Sequence, residues 1–193
     1  MEKSAGEQVA QLAKQGLSLQ DPPLQAPVVL QEALGTLRHL GCTHGYTMRP
    51  VWAQLAACGK KVVEVTTYAI PLEYPAIVVL CCAAAGGVPG RVAVAVVQFM
   101  GYPMDEHNRP MAVPATKVAA MAEDTGIPPG AWDTEQALPL SFASALRNGH
   151  PFYCCKLRVL FRIPKAAAFC VPYRIGSQNP FIVQGSPVAQ FDI

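Results

Sequence analysis

The densest set of chemically capable side chains lies in residues 153–163, YCCKLRVLFRI. Read as a strand, this segment sends alternate residues to opposite faces, with same-face neighbours roughly 7 Å apart. Tyr153, Cys155, Leu157, Val159, Phe161 and Ile163 then form one apolar face. Cys154, Lys156, Arg158, Leu160 and Arg162 take the other. Three cations at this spacing suit the phosphates of a nucleic acid or the carboxylates of a neighbouring subunit. They equally suit the solvated outer face of a half-buried strand. Arg174, in the following strand candidate, extends the row if the two strands pair in register. Lys156, Arg158, Arg162 and Arg174 are therefore the candidate contact residues for RNA or for another subunit.

Other chemistry has weaker carriers. His39, His44, His107 and His150 are scattered, and Cys42-Thr43-His44 is the only close Cys/His pair. A tetrahedral zinc site takes four ligands, normally as two spaced pairs. No C-x-x-C is present, so the expectation is no metal and no cofactor. Apart from Cys42 and Cys58, the cysteines fall in apolar strand candidates, where thiols are ordinarily inert core. Asp105, Glu106, Glu123, Asp124, Asp133 and Glu135 crowd residues 101–137. They lie in proline-rich loops, where charge normally gathers for solvation. An enzyme with its site there, around His107, Asp124 and Asp133, is the lesser alternative. Residues 85–90, AGGVPG, link strand to strand and lead to no helix that would receive a phosphate, so they read as a turn. Trp52 and Trp132 are single aromatics suited to packing.

The elements that must position these residues change period along the chain. Ser4 and Glu7 have capping-box spacing, predicting a short amphipathic helix over residues 4–15, and a proline-rich arm follows. Leu30, Leu34, Leu37 and Leu40 predict a second short helix stopping at Gly41. Strand patterns then dominate: residues 61–70, 76–84, 91–99, 153–163, 168–175 and 181–184. Residues 46–52 and 134–143 are weaker strand candidates, and a short helix is expected over 116–123. Seven or eight short strands split by Pro/Gly corners, with helices confined to the arm and loops, predict an all-β jelly-roll β-sandwich. Its expected limits are a 1–45 arm, a 46–184 jelly-roll domain and a 185–193 tail.

Composition points toward packing rather than catalysis. Charged residues make up 15% of the 193 and hydrophobic ones 51%, against roughly 25% charged in an ordinary domain. With a mean hydropathy of +0.24, much of the surface is expected to face other subunits. The net charge of +2 neither demands nor excludes nucleic acid, and residues 1–30 contain no polybasic run. Seven cysteines include the neighbours Cys81-Cys82 and Cys154-Cys155. Strand neighbours point apart, so reduced thiols in an intracellular setting are expected. Apolar runs break well short of ~20 residues, so no membrane span is expected.

The order of segments is similar to that of the single jelly-roll coat proteins of small icosahedral plant RNA viruses. The likeness lies in PLEYPAIVVLCCAAAGGVPGRVAVAVVQF (71–99) and KLRVLFRIPKAAAFCVPYRIGSQNPFIVQ (156–184). Between them, ATKVAAMAEDTG (115–126) looks like the short helical crossover of such shells, and residues 132–163 look like their late strand–loop–strand unit. The near-neutral N-terminus departs from the brome mosaic and cucumber mosaic type, whose coats carry basic arms. It looks more like the tymovirus-like coats. Ser and Thr are fewer and Ala more abundant than in that group. The resemblance implies a non-enzymatic capsid protein that self-assembles around single-stranded genomic RNA, with polyamines sharing the neutralisation. It implies a virion location, with host cytoplasm during assembly, and no membrane partner. A structural subunit of a large cellular assembly is the alternative that shares the compositional reasoning.

Overall fold

The computed structural model describes residue 35 and residues 37–83, 91–134, 138–163, 170–171 and 179–183. Within them the protein is mostly β. Six strands form one mixed sheet: β1 (His44–Met48), β2 (Val63–Thr66), β3 (Ala76–Cys82), β4 (Val92–Gly101), β5 (Tyr153–Arg162) and β6 (Phe181–Ile182). Their spatial order is β2-β5-β4-β3-β1-β6. Every pair is antiparallel except β1 with β3. A parallel pair needs a crossover, and here it carries a helix, α1 (Pro50–Ala57), together with β2.

The central strands read as continuous apolar runs because both their faces are covered. In β3, Val78 through Cys82 are all buried, and in β4 so are Val92 through Val97. On the first face, Tyr46, Val78, Leu80, Phe99, Cys155 and Leu157 pack beneath Ala53, Ala56 and Trp52 of α1. On the second face, Val79, Cys81, Ala93 and Val96 meet Leu37, Val171 and Phe181. At the β2 end of the sheet, Val63, Val65 and Cys154 lie under Val118, Ile127, Trp132 and Phe142. The rings of Trp132, Phe142 and Phe152 form a mutual cluster there, with centroids 5.3–6.3 Å apart.

Four further short helices supply that last layer: α2 (Ala115–Ala119), α3 (Ala122–Thr125), α4 (Pro129–Thr134) and α5 (Leu140–Arg147). The helix expected over 116–123 is therefore two pieces. The weak strand candidates 46–52 and 134–143 give way to helix beyond Met48 and from Leu140 onward. Pro50 opens α1, Pro129 opens α4, and Pro114 and Pro139 sit at the caps of α2 and α5. Proline pre-sets φ and lacks an N–H that a first helical turn would leave unused. In this chain it starts helices where a breaker reading expects loop or strand. The helices are thus not confined to arm and loops; one whole covering layer is built from them.

The long strand candidates are found in trimmed form. Residues 61–70 keep only β2, while Phe181–Ile182 is the described part of the last strand. Cys170 forms an isolated bridge to Val92 and Val171 is buried beside it; the rest of 168–175, and the helix expected over 4–15, lie outside the described residues. The second N-terminal helix ends as expected at Gly41, whose φ of +75° suits glycine, with the Cys42 N–H bonded back to the Leu37 carbonyl.

The outer edge of β1 is closed in an unusual way. The Asn179 side-chain amide accepts from the Thr47 N–H and donates to the Thr47 carbonyl, both at 2.8 Å. One side chain thus imitates a strand partner. Next to it, the tip of the Phe181 ring lies against Gly45, where a Cβ would collide with it. Only glycine lets β6 seat there. No helix among the described residues is long and apolar enough to cross a membrane.

Candidate subunit or nucleic-acid interface on strand β5

β5 divides into two halves. Over residues 153–156 it pairs with β2 and from Lys156 onward with β4, and Cys154, Cys155 and Leu157 are buried. β2 ends its pairing at Val63 opposite Lys156, with one more bond from the Leu157 N–H to the Val62 carbonyl at 2.9 Å. Beyond that point β5 has β4 on one side only. Among the described residues, no strand pairs with the other side of residues 158–162.

The alternation placed the cations in one row. That holds for Lys156 and Arg158, which are exposed on the face that begins with buried Cys154. Beyond the bulge at Leu160, exposed Arg162 opposes Ala95 and takes the other face, that of Val159, so the expected row is broken there. α2 to α5 cover the Cys154 face at that residue and stop short of Lys156. Arg158 donates to the Gln98 side-chain carbonyl of β4 at 2.8 Å. Among the described residues, Lys156 and Arg162 have no ion pair. Arg174, the fourth member of the expected row, lies outside the described residues.

Three neighbours of the row escaped the sequence pattern. Met100 is 49% exposed and Phe161 52%, beside Leu160 at 42%. Phe161 belongs by parity to the buried face. The register slips between Val96 and Val97, so that Val159 and Phe161 oppose consecutive residues of β4. That bulge moves Phe161 to the face of Arg158 and Arg162 to the face of Val159, and it twists the edge. No local sequence signal marks it. The third neighbour is acidic: the Val62 N–H donates to the Asp124 carbonyl at 2.8 Å, which ties α3, with Glu123 and Asp124 exposed, to the residue whose carbonyl bonds Leu157.

The remaining acidic candidates are not assembled into a site. Asp105 organises its own turn, accepting from the Arg109 and His107 N–H groups and from the Arg109 side chain at 2.8–3.0 Å. These bonds, the Arg109 N–H foremost, hold its carboxyl below the usual range. His107 pairs with exposed Glu106 at 3.6 Å, and no contact joins either to Asp124. The side chain of Asp133 and all of Glu135 lie outside the described residues. An open cleft of about 490 Å³ between Asp105, Arg109, Met111 and Tyr153 has its one cation already paired with Asp105. Among the described residues, no group of three or more His, Cys, Asp and Glu is placed to hold a metal.

A buried polar knot went unread in the sequence. Lys61, expected as the first residue of a strand, is 1% exposed. Its ammonium donates to the Val63 and Thr125 carbonyls at 2.7 and 2.8 Å and pairs with Glu64 at 3.1 Å. Tyr46 donates to the other Glu64 oxygen at 3.1 Å; burial, and then Glu64, push its phenol well above the ordinary range. All donors find acceptors, which is the condition for keeping a charge inside. The knot ties α3 to β2 and to the first face of the sheet. It has no opening to a ligand.

The thiols are core. Cys42, Cys81, Cys82, Cys154 and Cys155 are buried and unbridged, while Cys58 is exposed. Burial pushes Cys42 up to about 12 and Cys82 and Cys155 to about 11. Such thiols are poor nucleophiles at neutral pH. The chain matches no protein-family model and no curated protein.

Proposed function

We propose that this protein is a structural subunit that assembles with copies of itself. In its specific form the reading is a coat protein that closes into an icosahedral shell around single-stranded genomic RNA. The observation that carries it is the outer half of β5. In a sheet whose faces are otherwise covered, Arg158 and Arg162 stand exposed among Leu160, Phe161 and Met100. That mixture of guanidinium and large apolar groups is typical of protein interfaces. The sparse charge of the chain and its likeness to the small plant-virus coats support the same reading.

A two-sheet jelly roll is the finer shape that belongs to this proposal; the described strands account for one sheet. The proposal assigns no catalytic role to any residue. Lys156, Arg158, Arg162 and Arg174 would supply contacts to RNA or to a neighbouring subunit, with polyamines completing the neutralisation, in a virion formed in the host cytoplasm.

Electron microscopy of the purified protein, with its absorbance ratio at 260 and 280 nm, tests it. Uniform spheres with excess absorbance at 260 nm are the expected outcome. Particles of another shape, without nucleic acid, would move the reading to a subunit of a cellular assembly. A monodisperse monomer would overturn assembly in either form.

A further inference from the structure

The second face of the sheet is packed at its middle and open at its β5 end. Register defines two cross-strand rows there. Val79 of β3 opposes Val96 of β4, which opposes Phe161 of β5; Ile77 opposes Gln98, which opposes Arg158. The first row is buried at Val79 and Val96, yet Phe161 is 52% exposed. The second ends at exposed Arg158, which donates to the Gln98 side chain at 2.8 Å. Lys156, two residues earlier on the same face of β5, is exposed too. Among the described residues, nothing covers this aromatic ring or pairs with these two cations.

The chain enters the described residues on this same face. Leu37 packs in its cluster with Val79, Ala93, Val96 and Ile163. Before it, residues 21–34 read DPPLQAPVVLQEAL, with two acids, Asp21 and Glu32, no cation, and the apolar run PVVL at 27–30. Asp21 is sixteen residues from Leu37, about 24 Å even at the short rise of a helix. The four strand spacings from β6 to β5 come to about 19 Å. The segment is therefore long enough to reach β5 from any point over the face.

We infer that residues 21–34 cross the second face and close its open end within the same chain. The run 27–30 covers Phe161, and Asp21 and Glu32 pair with Lys156 and Arg158. Residues 164–169 and 172–178, also outside the described residues, carry Lys165 and Arg174 and no acid, and like charge beside Arg158 is unfavourable. Nucleic acid would use the same two cations, but a tethered segment acts at a high effective concentration that a free ligand lacks. The contact belongs to one protomer and goes beyond the assembly reading. Where subunits assemble, the segment competes with a neighbour for Phe161 and Arg158, while Arg162, on the opposite face, stays available.

Hydrogen exchange of the full chain, read by mass spectrometry, tests the contact. Amides of residues 28–34 are expected to exchange at least about tenfold more slowly than in a free peptide of that sequence, and equally slowly at every protein concentration. Phe161→Ser should remove that protection, as should Lys156→Glu with Arg158→Glu. Adding Asp21→Lys and Glu32→Lys to the latter pair should restore it. The three β5 positions are exposed, and unchanged circular dichroism of each variant confirms folding. Free-peptide exchange in the wild type overturns the contact, as does protection that survives both β5 variants. A folded four-fold variant without protection overturns the charge pairing. Protection lost on dilution assigns the segment to a second copy and overturns the internal contact. A single-stranded RNA that protects β5 while residues 28–34 exchange freely gives the face to nucleic acid and overturns it as well. A monomer with residues 28–34 protected overturns the assembly reading alone; particles with those residues unprotected overturn the contact alone.

Discussion

The two halves of β5 share one alternation of residue types and have opposite surroundings. Cys154 and Cys155 pair with β2, Leu157 pairs with β4, and all three are enclosed beneath α1 or the short-helix layer. Among the described residues, β4 is the one strand beside Leu160, Phe161 and Arg162, which are exposed. The residue types do not separate the halves, since a leucine serves in each. What separates them is where β2 and the helices stop. An amphipathic strand states which side chains share a face; its neighbours decide whether that face is core.

The largest effect expected on the enclosed side comes from Lys61. Lys61→Met leaves Glu64 buried without its cation and removes the tie to the Thr125 carbonyl. A loss of about 3–5 kcal/mol of stability is expected, read as a lower urea midpoint with an unchanged slope. A loss under 1 kcal/mol would mean that the knot is wet, and the enclosed side less enclosed. Next, Leu157→Ala should cost about 2–5 kcal/mol, because the site is walled by strands and cannot collapse freely.

Alkaline titration probes the same enclosure with smaller steps. Folded Cys42, Cys82 and Cys155 titrate above the ordinary thiol value of 9.0. Above pH 9 the unfolded chain therefore loses protons that the folded chain keeps, and stability falls. The stabilisation is complete below pH 9 and declines as pH rises toward 11–12. Each thiol should contribute a slope of about 1.4 kcal/mol per pH unit in that window. Flat stability from pH 9 to 10.5 would contradict the burial of these sulfurs. The smallest effect belongs to the open half: Leu160→Ser should change protomer stability by no more than about 0.5 kcal/mol. A cost as large as that of Leu157→Ala would erase the distinction between the halves.

Part of this was legible in the residues. The alternation of YCCKLRVLFRI placed Lys156 and Arg158 on one face, while Arg162, expected beside them, is carried to the other by the bulge, and β-branched runs located β3 and β4 within two residues at each end. The burial of five of the seven cysteines also follows from the apolar company of most of them. Less legible were the helices opened by Pro50, Pro129 and Pro139, because proline's signal as a helix starter is identical to its signal as a breaker until the next turn is known. Lys61 read as a strand residue because its acceptors, the Thr125 carbonyl and Glu64, are brought to it by folding. Phe161 and the tie from α3 to Val62 depend on register and on α3 docking, which are relations between segments rather than properties of any one.

The seal on β1 sets a schedule for synthesis. β1 leaves the ribosome well before its seal: the Asn179 amide that fills its hydrogen bonds and the Phe181 ring that covers Gly45 are encoded about 130 residues later. At ordinary elongation rates of ~5–20 residues/s, that interval lasts on the order of ten seconds. Throughout it, the outer edge of β1 is a bare template for any passing strand. Protection of this edge against wrong pairing therefore waits on residues made some 130 positions after the strand they seal.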